Sequence, residues 1–190
     1  MSLGLSPAVG RETSKRPVPK RNPQRRRIRL AAEVYAEIGV LCSITIAVKG
    51  RAPLFACPDV AAAAVDVLRR HAAATGVPGY AWCVMLDHVH LILGASPTCD
   101  IVTFVGQFKN LMQRDAWRRG IKGTFWQTSC WGHFLRGDER LEPVVEYVLN
   151  NPVRSGLDER WCDYRASGSS VFGLADPGGG QALALQRKLD

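Results

Sequence analysis

The sequence lacks any apolar run long enough to cross a membrane. No stretch approaches the roughly 20 consecutive apolar residues that a membrane-spanning helix needs. Residues 1–10 also lack the charged start and apolar run of a secretory signal. We therefore expect a cytoplasmic protein without a membrane span.

Closely spaced cysteines are missing as well. The six cysteines are scattered along the chain, and no two of them form a Cys-x-x-Cys pair. This distribution indicates neither a zinc knuckle nor a small disulfide framework. We expect reduced thiols, most of them buried.

Acidic residues are too few to balance the basic ones. The chain has 25 Lys and Arg against 17 Asp and Glu, which gives a formal net charge of +8. Such a surface favours a polyanionic partner, because Lys and Arg gain most when they displace counterions from phosphates. Nucleic acid is the leading candidate partner, and an acidic membrane surface is the second.

The composition divides the 190 residues into one domain and two tails. Residues 11–29 contain nine Lys and Arg and almost nothing apolar, so they cannot bury enough surface to fold alone. This predicts a basic flexible arm over 1–29, with an idle solvated tail as the alternative. The glycine triplet at 178–180 predicts a flexible tail over 175–190. A single domain over 30–174 remains.

Hydrophobic periodicity predicts alternating strands and helices in this domain. The expected strands cover 38–48, 80–86 and 89–93 (two strands or one bent strand) and 131–136. The expected helices cover 59–75, 100–119 and 139–150. Asp59 is the expected N-cap of the first helix, Gly76 its C-terminal stop and Pro152 the end of the last helix. The order predicts an α+β fold, a ferredoxin-like antiparallel sheet with helices on one face.

Two histidines in an apolar segment form the first candidate site. His88 and His90 are two residues apart, so on a strand both side chains point to the same face. Two neutral imidazoles on one face suit a divalent metal whose other positions take oxygen ligands, water or a substrate phosphate. One hydrogen-bonded and one exposed histidine, with no metal, is the alternative.

A tyrosine near the end of the last predicted helix forms the second candidate site. Tyr147 and Asn151 are four residues apart and would share one helix face, so a nucleophile and a metal ligand could lie side by side. A phenol with a pKa of about 10 is a poor nucleophile, but a nearby divalent cation makes attack on a phosphodiester feasible. A core tyrosine followed by an asparagine cap and a proline stop is the alternative.

Together these segments resemble the REP-associated tyrosine transposases, within the single-tyrosine HUH (IS200-like) transposase family. The matching segments are Arg27-Ile28-Arg29-Leu30, His88-Val89-His90, Phe125-Trp126-Gln127, His133 to Arg136, and Tyr147 through Leu157. Their combination in this order and spacing is highly specific. One departure is Leu86-Asp87, because family members usually have Pro-Asn or Pro-Glu before the first histidine.

The resemblance implies an HUH nuclease fold that cuts and rejoins single-stranded DNA. His88 and His90 would bind Mg²⁺ or Mn²⁺ with Asn151 as a third ligand, and Tyr147 would attack the DNA to leave a 5′-phosphotyrosine. The partner would be hairpin or palindromic single-stranded DNA rather than a membrane, and the protein would be a monomer or a homodimer. The candidate DNA-binding residues are Arg25, Arg26, Arg27, Arg29, Lys109, Arg114 and Arg154. Of these, Lys109 and Arg114 are basic residues of the predicted helix over 100–119, which offers phosphate contacts or, as the alternative, only a solvated face.

Two other functions are consistent with parts of the sequence. A domesticated DNA-binding protein would keep the fold and lose cleavage, but the intact His88, His90, Tyr147 and Asn151 argue against that loss. A metal-dependent barrel hydrolase normally needs more than about 200 residues, and more His and Asp ligands than a chain with four histidines offers.

Three further side chains have two interpretations each, and a fourth has one. Trp126 and Trp131 could stack on unpaired bases, but packing in the core is favoured. Asp87 could orient a histidine, although a solvated turn residue is favoured. For His133 we expect a place at a sheet edge, with the ring donating to a backbone carbonyl.

Overall fold

The computed structural model describes residues 32–135 and 139–170. Its strands are β1 (Leu41–Ala47), β2 (Gly79–Val84), β3 (His88–Gly94), β4 (Trp131–Phe134) and β5 (Ser167–Ser169). Its helices are α1 (Ala32–Ala36), α2 (Pro58–Thr75), α3 (Ile101–Arg118), α4 (Leu141–Leu149) and α5 (Asn151–Arg154). Two short 3₁₀ turns, Lys49–Arg51 and Leu54–Ala56, connect β1 to α2. The predicted arm over 1–29 and the predicted tail over 175–190 lie outside the described residues.

The five strands form one sheet in the order β4-β1-β3-β2-β5, and every neighbouring pair is antiparallel. The predicted α+β fold with an antiparallel sheet is confirmed. The apolar segment around position 87 forms two strands rather than one bent strand. Strand β5 was not predicted, because the three residues Ser-Gly-Ser have no apolar alternation.

Alternate residues of the central strand β3 contribute to two different hydrophobic cores. Val89, Leu91 and Leu93 join the larger core with residues of α2 and α3, whereas Ile92 joins a smaller core with residues of α4. The sheet therefore lies between α2 and α3 on one face and α4 on the other. The prediction that helices cover one face is wrong, because β2 and β3 present apolar side chains on both faces and each face needs a cover.

The ends of the first two long helices follow from their capping residues. α2 begins at Pro58 after Cys57, so Asp59 lies in the first turn and is not the predicted N-cap. Proline suits this position, because its missing N–H would have no partner in the first turn. The predicted stop at Gly76 is confirmed by its left-handed backbone with φ of 64°. The Asp100 side chain accepts a hydrogen bond from the backbone N–H of Thr103 and so caps α3.

The last predicted helix, over 139–150, is confirmed as α4, and a further short helix follows it. α4 ends at Leu149, and α5 starts at Asn151 with Pro152 in its first turn. Pro152 therefore opens a helix instead of ending one, which corrects the prediction. Tyr147 and Asn151 consequently lie on consecutive helices rather than on one continuous face.

Two sequence-based expectations concern the cysteines and the membrane. All six cysteines are free; Cys42, Cys83 and Cys99 are buried and the other three are exposed, so the expectation that most are buried is wrong. Within the described ranges, none of the helices combines the length and the apolar character that crossing a bilayer requires.

Candidate metal and nucleophile site

The structure brings the imidazoles of His88 and His90 together. Both residues lie on β3, opposite Ala47 and Thr45 of β1. They occupy the same alternation as Ile92, so they face the side of the sheet that α4 covers. Their Nε2 atoms are 3.0 Å apart, and the rings meet edge to face.

The other nitrogen of each ring has an oxygen partner. Nδ1 of His90 lies 3.0 Å from the hydroxyl oxygen of Thr45, and Nδ1 of His88 lies within hydrogen-bond distance of the Asp87 carboxylate. When each Nδ1–H donates to its oxygen, each Nε2 keeps a lone pair. Two lone pairs at 3.0 Å repel each other unless a proton or a cation lies beside them. The chemistry of the pair therefore fits a divalent cation.

The surroundings of His90 keep its imidazole neutral. Burial, followed by the charges of His88, Arg51 and Arg154, lowers the pKa of His90 to about 4. A neutral imidazole is the form that binds a metal. The two guanidinium groups come from the turn after β1 and from α5, and Arg51 reaches the pair through the Asp87 carboxylate. Guanidinium groups in such a place can bind the oxygens of a phosphate.

Asn151 lies at the junction between α4 and α5. Its Nδ2 donates to the backbone carbonyls of Tyr147 at 3.1 Å and Val148 at 3.0 Å, so it caps the end of α4. These bonds use the amide nitrogen, and the amide oxygen is the atom suited to a metal. In residues 32–135 and 139–170, no group of three or more His, Cys, Asp and Glu side chains is placed to hold a metal ion. Ligands beyond the two imidazoles must come from other groups.

Tyr147 lies on the outer side of α4. Its side chain is 55% exposed, whereas Val145 and Val148 of the same helix are buried against the sheet. The guanidinium carbon of Arg154 lies 4.5 Å from the centre of the tyrosine ring. Tyr147 is therefore not a core residue, and its phenol is accessible in a shallow groove. The groove is lined by Pro143, Glu146, Tyr147, Asn150 and Arg154.

Tyr164, in contrast to Tyr147, is hydrogen-bonded within the fold. Its hydroxyl donates to the backbone carbonyl of Val84 at 2.8 Å, at the end of β2. Burial raises the pKa of Tyr164 to about 12, which makes its phenolate harder to form. Its hydrogen bond attaches the segment before β5 to the end of β2, and such a hydroxyl is poorly suited to attack a substrate.

The remaining predicted DNA-binding residues have different environments. The Lys109 ammonium donates to the carbonyls of Gln127 at 2.7 Å and Thr128 at 3.2 Å, and burial lowers its pKa. In this structure Lys109 thus holds the segment that leads into β4. Arg114 is exposed on α3. Arg25, Arg26, Arg27 and Arg29 lie outside the described residues.

The aromatic residues near β4 divide into a core and a surface residue. Trp126 is buried against Phe55 and Phe125, so its predicted core packing is confirmed. Trp131 is 53% exposed on the edge strand, and its predicted core packing is wrong. His133 lies on the same edge strand, but its Nε2 is 3.3 Å from the Glu139 carboxylate and not from a backbone carbonyl.

Sequence reasoning missed two residues at the site, Thr45 and Arg51. Thr45 contacts His90 across the sheet, and Arg51 forms an ion pair of 3.3 Å with Asp87. The solvated role favoured for Asp87 is wrong, since the carboxylate contacts both Arg51 and His88. No local pattern marks the contacts of Thr45 and Arg51, because their partners are 45 and 36 residues away in the chain.

Comparisons with known proteins agree with this fold. The family model described as "Transposase IS200 like" matches residues 39–151, more than half of the chain. The structure of a REP-associated tyrosine transposase bound to a REP hairpin is 20% identical, with a TM-score of 0.58, and the match covers 82% of this chain and 96% of that one. A putative transposase from Deinococcus radiodurans is 27% identical, with a TM-score of 0.44, over 58% of this chain and 88% of that one. No curated protein matches. The chain belongs to the IS200-like transposase family.

Proposed function

We propose that this transposase cuts and rejoins single-stranded DNA through a covalent bond to Tyr147. The observation that carries the proposal is the packing of α4 on the sheet face that holds His88 and His90. The proposal is supported by the exposed Tyr147 phenol on α4 and by the converging imidazoles on the sheet face against which α4 packs. A third residue, Arg154, contacts the phenol ring, and its charge is among those that lower the pKa of His90.

The histidine pair is the proposed metal site. His88 and His90 would hold a divalent ion, Mg²⁺ or Mn²⁺, through their Nε2 atoms, with the amide oxygen of Asn151 as a third ligand. Such an ion polarises a phosphate and makes its phosphorus easier to attack. The low pKa of His90 supports this role, since the imidazole stays neutral at physiological pH.

The proposed reaction exchanges one phosphoester bond for another. The phenolic oxygen of Tyr147 forms a bond to the phosphorus, and the bond from phosphorus to the 3′ oxygen breaks. The phenol loses its proton to water, and the leaving 3′ oxygen gains one. The products are a 5′-phosphotyrosine and a free 3′-OH. Because the phosphoester is kept, a 3′-OH can reverse the step and rejoin DNA without a nucleotide cofactor.

Hairpin or palindromic single-stranded DNA is the proposed substrate. The similar transposase structure is bound to a REP hairpin, and the net charge of +8 suits a polyanion. The folded domain, which we assign to residues 30–174, would contact DNA phosphates through Arg114 and Arg154. The arm over 1–29, with Arg25, Arg26, Arg27 and Arg29, would add contacts to the DNA backbone. The reaction would take place in the cytoplasm, with the protein as a monomer or homodimer.

A labelling experiment tests the proposal. The full-length protein is incubated with Mn²⁺ and a hairpin that carries a single-stranded flank, labelled at its 5′ end or at its 3′ end. Denaturing electrophoresis should then show a protein adduct that carries the 3′ label only, because the 5′ phosphate of the downstream fragment joins the tyrosine. The 5′ label should appear in a shortened free strand. Tight hairpin binding without any adduct would instead favour a DNA-binding protein that does not cut.

A further inference from the structure

Arg51 has an unusual backbone conformation. Among the described residues it is the one residue other than glycine with a positive φ, at 58°. This left-handed region crowds a Cβ atom, so glycine is the residue that usually occupies it. Arg51 lies in the short turn after β1, directly behind a glycine that also has a positive φ. A strained arginine at such a position indicates a use for its side chain.

The side chain of Arg51 leads to the histidine pair through one carboxylate. A guanidinium nitrogen of Arg51 lies 3.3 Å from Oδ2 of Asp87. The other oxygen of the same carboxylate, Oδ1, is hydrogen-bonded to Nδ1 of His88. The Asp87 carboxylate thus contacts both the Arg51 guanidinium and Nδ1 of His88. The other ring nitrogen of His88, Nε2, faces His90.

Backbone hydrogen bonds fix the two turns against each other. The N–H of Val48 donates to the carbonyl of Asp87 at 2.9 Å, and the N–H of Phe55 donates to the carbonyl of Leu86 at 3.0 Å. The N–H of Met85 donates to the carbonyl of His88 at 2.8 Å and closes the turn before β3. The main chain of Asp87 is therefore held in place, and the direction of its carboxylate depends on its side-chain partners.

We propose that Arg51 and Asp87 act as a positioning pair that sets the tautomer and the ring orientation of His88. The Asp87 carboxylate accepts the Nδ1–H, so the lone pair is on Nε2, where the proposed metal site needs it. Arg51 holds the carboxylate in the direction that meets the ring. Neither residue has to touch DNA for this role. The inference rests on the proposed function in one respect, namely that Nε2 of His88 is a metal ligand.

The test compares two variants with a matched control in the full-length protein. Asp87→Ala removes the acceptor, and Arg51→Gly removes the guanidinium. The control, Arg70→Gln, breaks an exposed ion pair of 2.8 Å with Asp66 on α2, which packs on the opposite face of the sheet from the histidine pair. Nitrogen-15 NMR of the metal-free protein reports the His88 tautomer, and titration with Mn²⁺ alone reports metal affinity.

Wild type and the control should show His88 protonated on Nδ1. Asp87→Ala should give a mixture of tautomers and lower the Mn²⁺ affinity by about 10- to 100-fold, the usual effect of removing a partner behind a metal ligand. Arg51→Gly should change both readouts in the same direction. In the double variant the losses should be less than additive, since both residues act through one contact.

Thermal unfolding separates positioning from a merely structural role. Glycine relieves the strain of a positive φ, so Arg51→Gly should unfold at a temperature no lower than wild type while its Mn²⁺ affinity falls. A structural role predicts the reverse, with lower stability and an unchanged tautomer. An unchanged His88 tautomer in both variants would overturn the inference. If wild type binds no Mn²⁺, the proposed metal site fails, and the tautomer measurement still decides the role of Arg51 and Asp87.

Discussion

The guanidinium carbon of Arg154 lies 4.5 Å from the centre of the Tyr147 ring. The same charge contributes to the low pKa of His90. Arg154 belongs to α5, the short helix that begins where α4 ends. The break between these helices thus places one cation against the ring of the proposed nucleophile.

Arg154→Gln should lower the rate of adduct formation by about 100-fold or more, because a donor that stabilises charge on the reacting phosphate is lost. Arg154→Lys should retain part of the activity, since it keeps the charge but loses the planar fork of donors. The measurement is the initial rate of adduct formation on single-stranded hairpin DNA. Arg70→Gln is the control for loss of a surface arginine, and a rate in Arg154→Gln equal to that control would contradict the assignment.

Removal of the metal should stop cleavage. EDTA should abolish the adduct, and Mg²⁺ or Mn²⁺ should restore it. His88→Ala and His90→Ala should each lower activity by orders of magnitude with circular dichroism close to wild type, because the ion loses a nitrogen ligand. Asn151→Ala should be partly rescued by high Mn²⁺, whose coordination is less demanding. Near-normal metal-dependent cleavage in both histidine variants would remove the pair from the mechanism.

Deleting residues 1–26 should flatten the salt dependence of DNA affinity. The deletion removes most of the nine Lys and Arg residues that lie between positions 11 and 29. Each lost phosphate contact should reduce the slope of log affinity against log salt by about 0.7 to 0.9. Binding titrations at several salt concentrations measure the slope. An unchanged slope would identify the segment as an idle tail.

His71 should make the stability of the fold depend on pH. Its ring is buried, stacks on Phe104 at 4.4 Å and lies 3.3 Å from the Phe104 carbonyl. Burial lowers the pKa of His71, so the unfolded chain binds the proton more readily than the native state. Stability should therefore fall as pH drops below about 6.5, toward the native pKa.

His71→Gln should reduce this decline, because glutamine does not titrate and keeps a donor for the Phe104 carbonyl. The measurement is the free energy of unfolding in urea at about pH 7.5 and about pH 5 for both proteins. His90 contributes to the decline in wild type and variant alike, so the difference between the two proteins isolates His71. Equal declines would contradict the prediction.

Local sequence patterns were sufficient to predict that the two histidines share a face, because this depends only on their lying on one strand. His88 and His90 share a face because side chains alternate along any strand, whatever its neighbours are. The tertiary partners could not be predicted in this way. Thr45 is 45 residues from His90, and Arg51 is 36 residues from Asp87, so only the pairing of β1 with β3 brings them together.

The role of Pro152 was also ambiguous in the sequence. Pro152 can end one helix or lie in the first turn of the next, and the local sequence is compatible with both. The helix over 139–150 was predicted, but its local sequence does not indicate which face of the sheet it covers, and α4 lies on the second face. The apolar residues on both faces of β2 and β3 were the available signal for a second layer.

The most direct test of the central claim compares two tyrosines that differ in their surroundings. Tyr147 is exposed beside Arg154, whereas the hydroxyl of Tyr164 is bonded to the Val84 carbonyl. Tyr147→Phe removes one exposed oxygen, so stability and hairpin affinity should stay close to wild type. Tyr164→Phe loses a hydrogen bond and should be less stable by about 1 kcal/mol.

The measurement is adduct formation on 3′-labelled hairpin DNA with Mn²⁺, under conditions where both variants are folded. We expect no adduct with Tyr147→Phe and an adduct with Tyr164→Phe. An adduct that persists in Tyr147→Phe would show that Tyr147 is not the nucleophile, and its loss in Tyr164→Phe would assign that role to Tyr164.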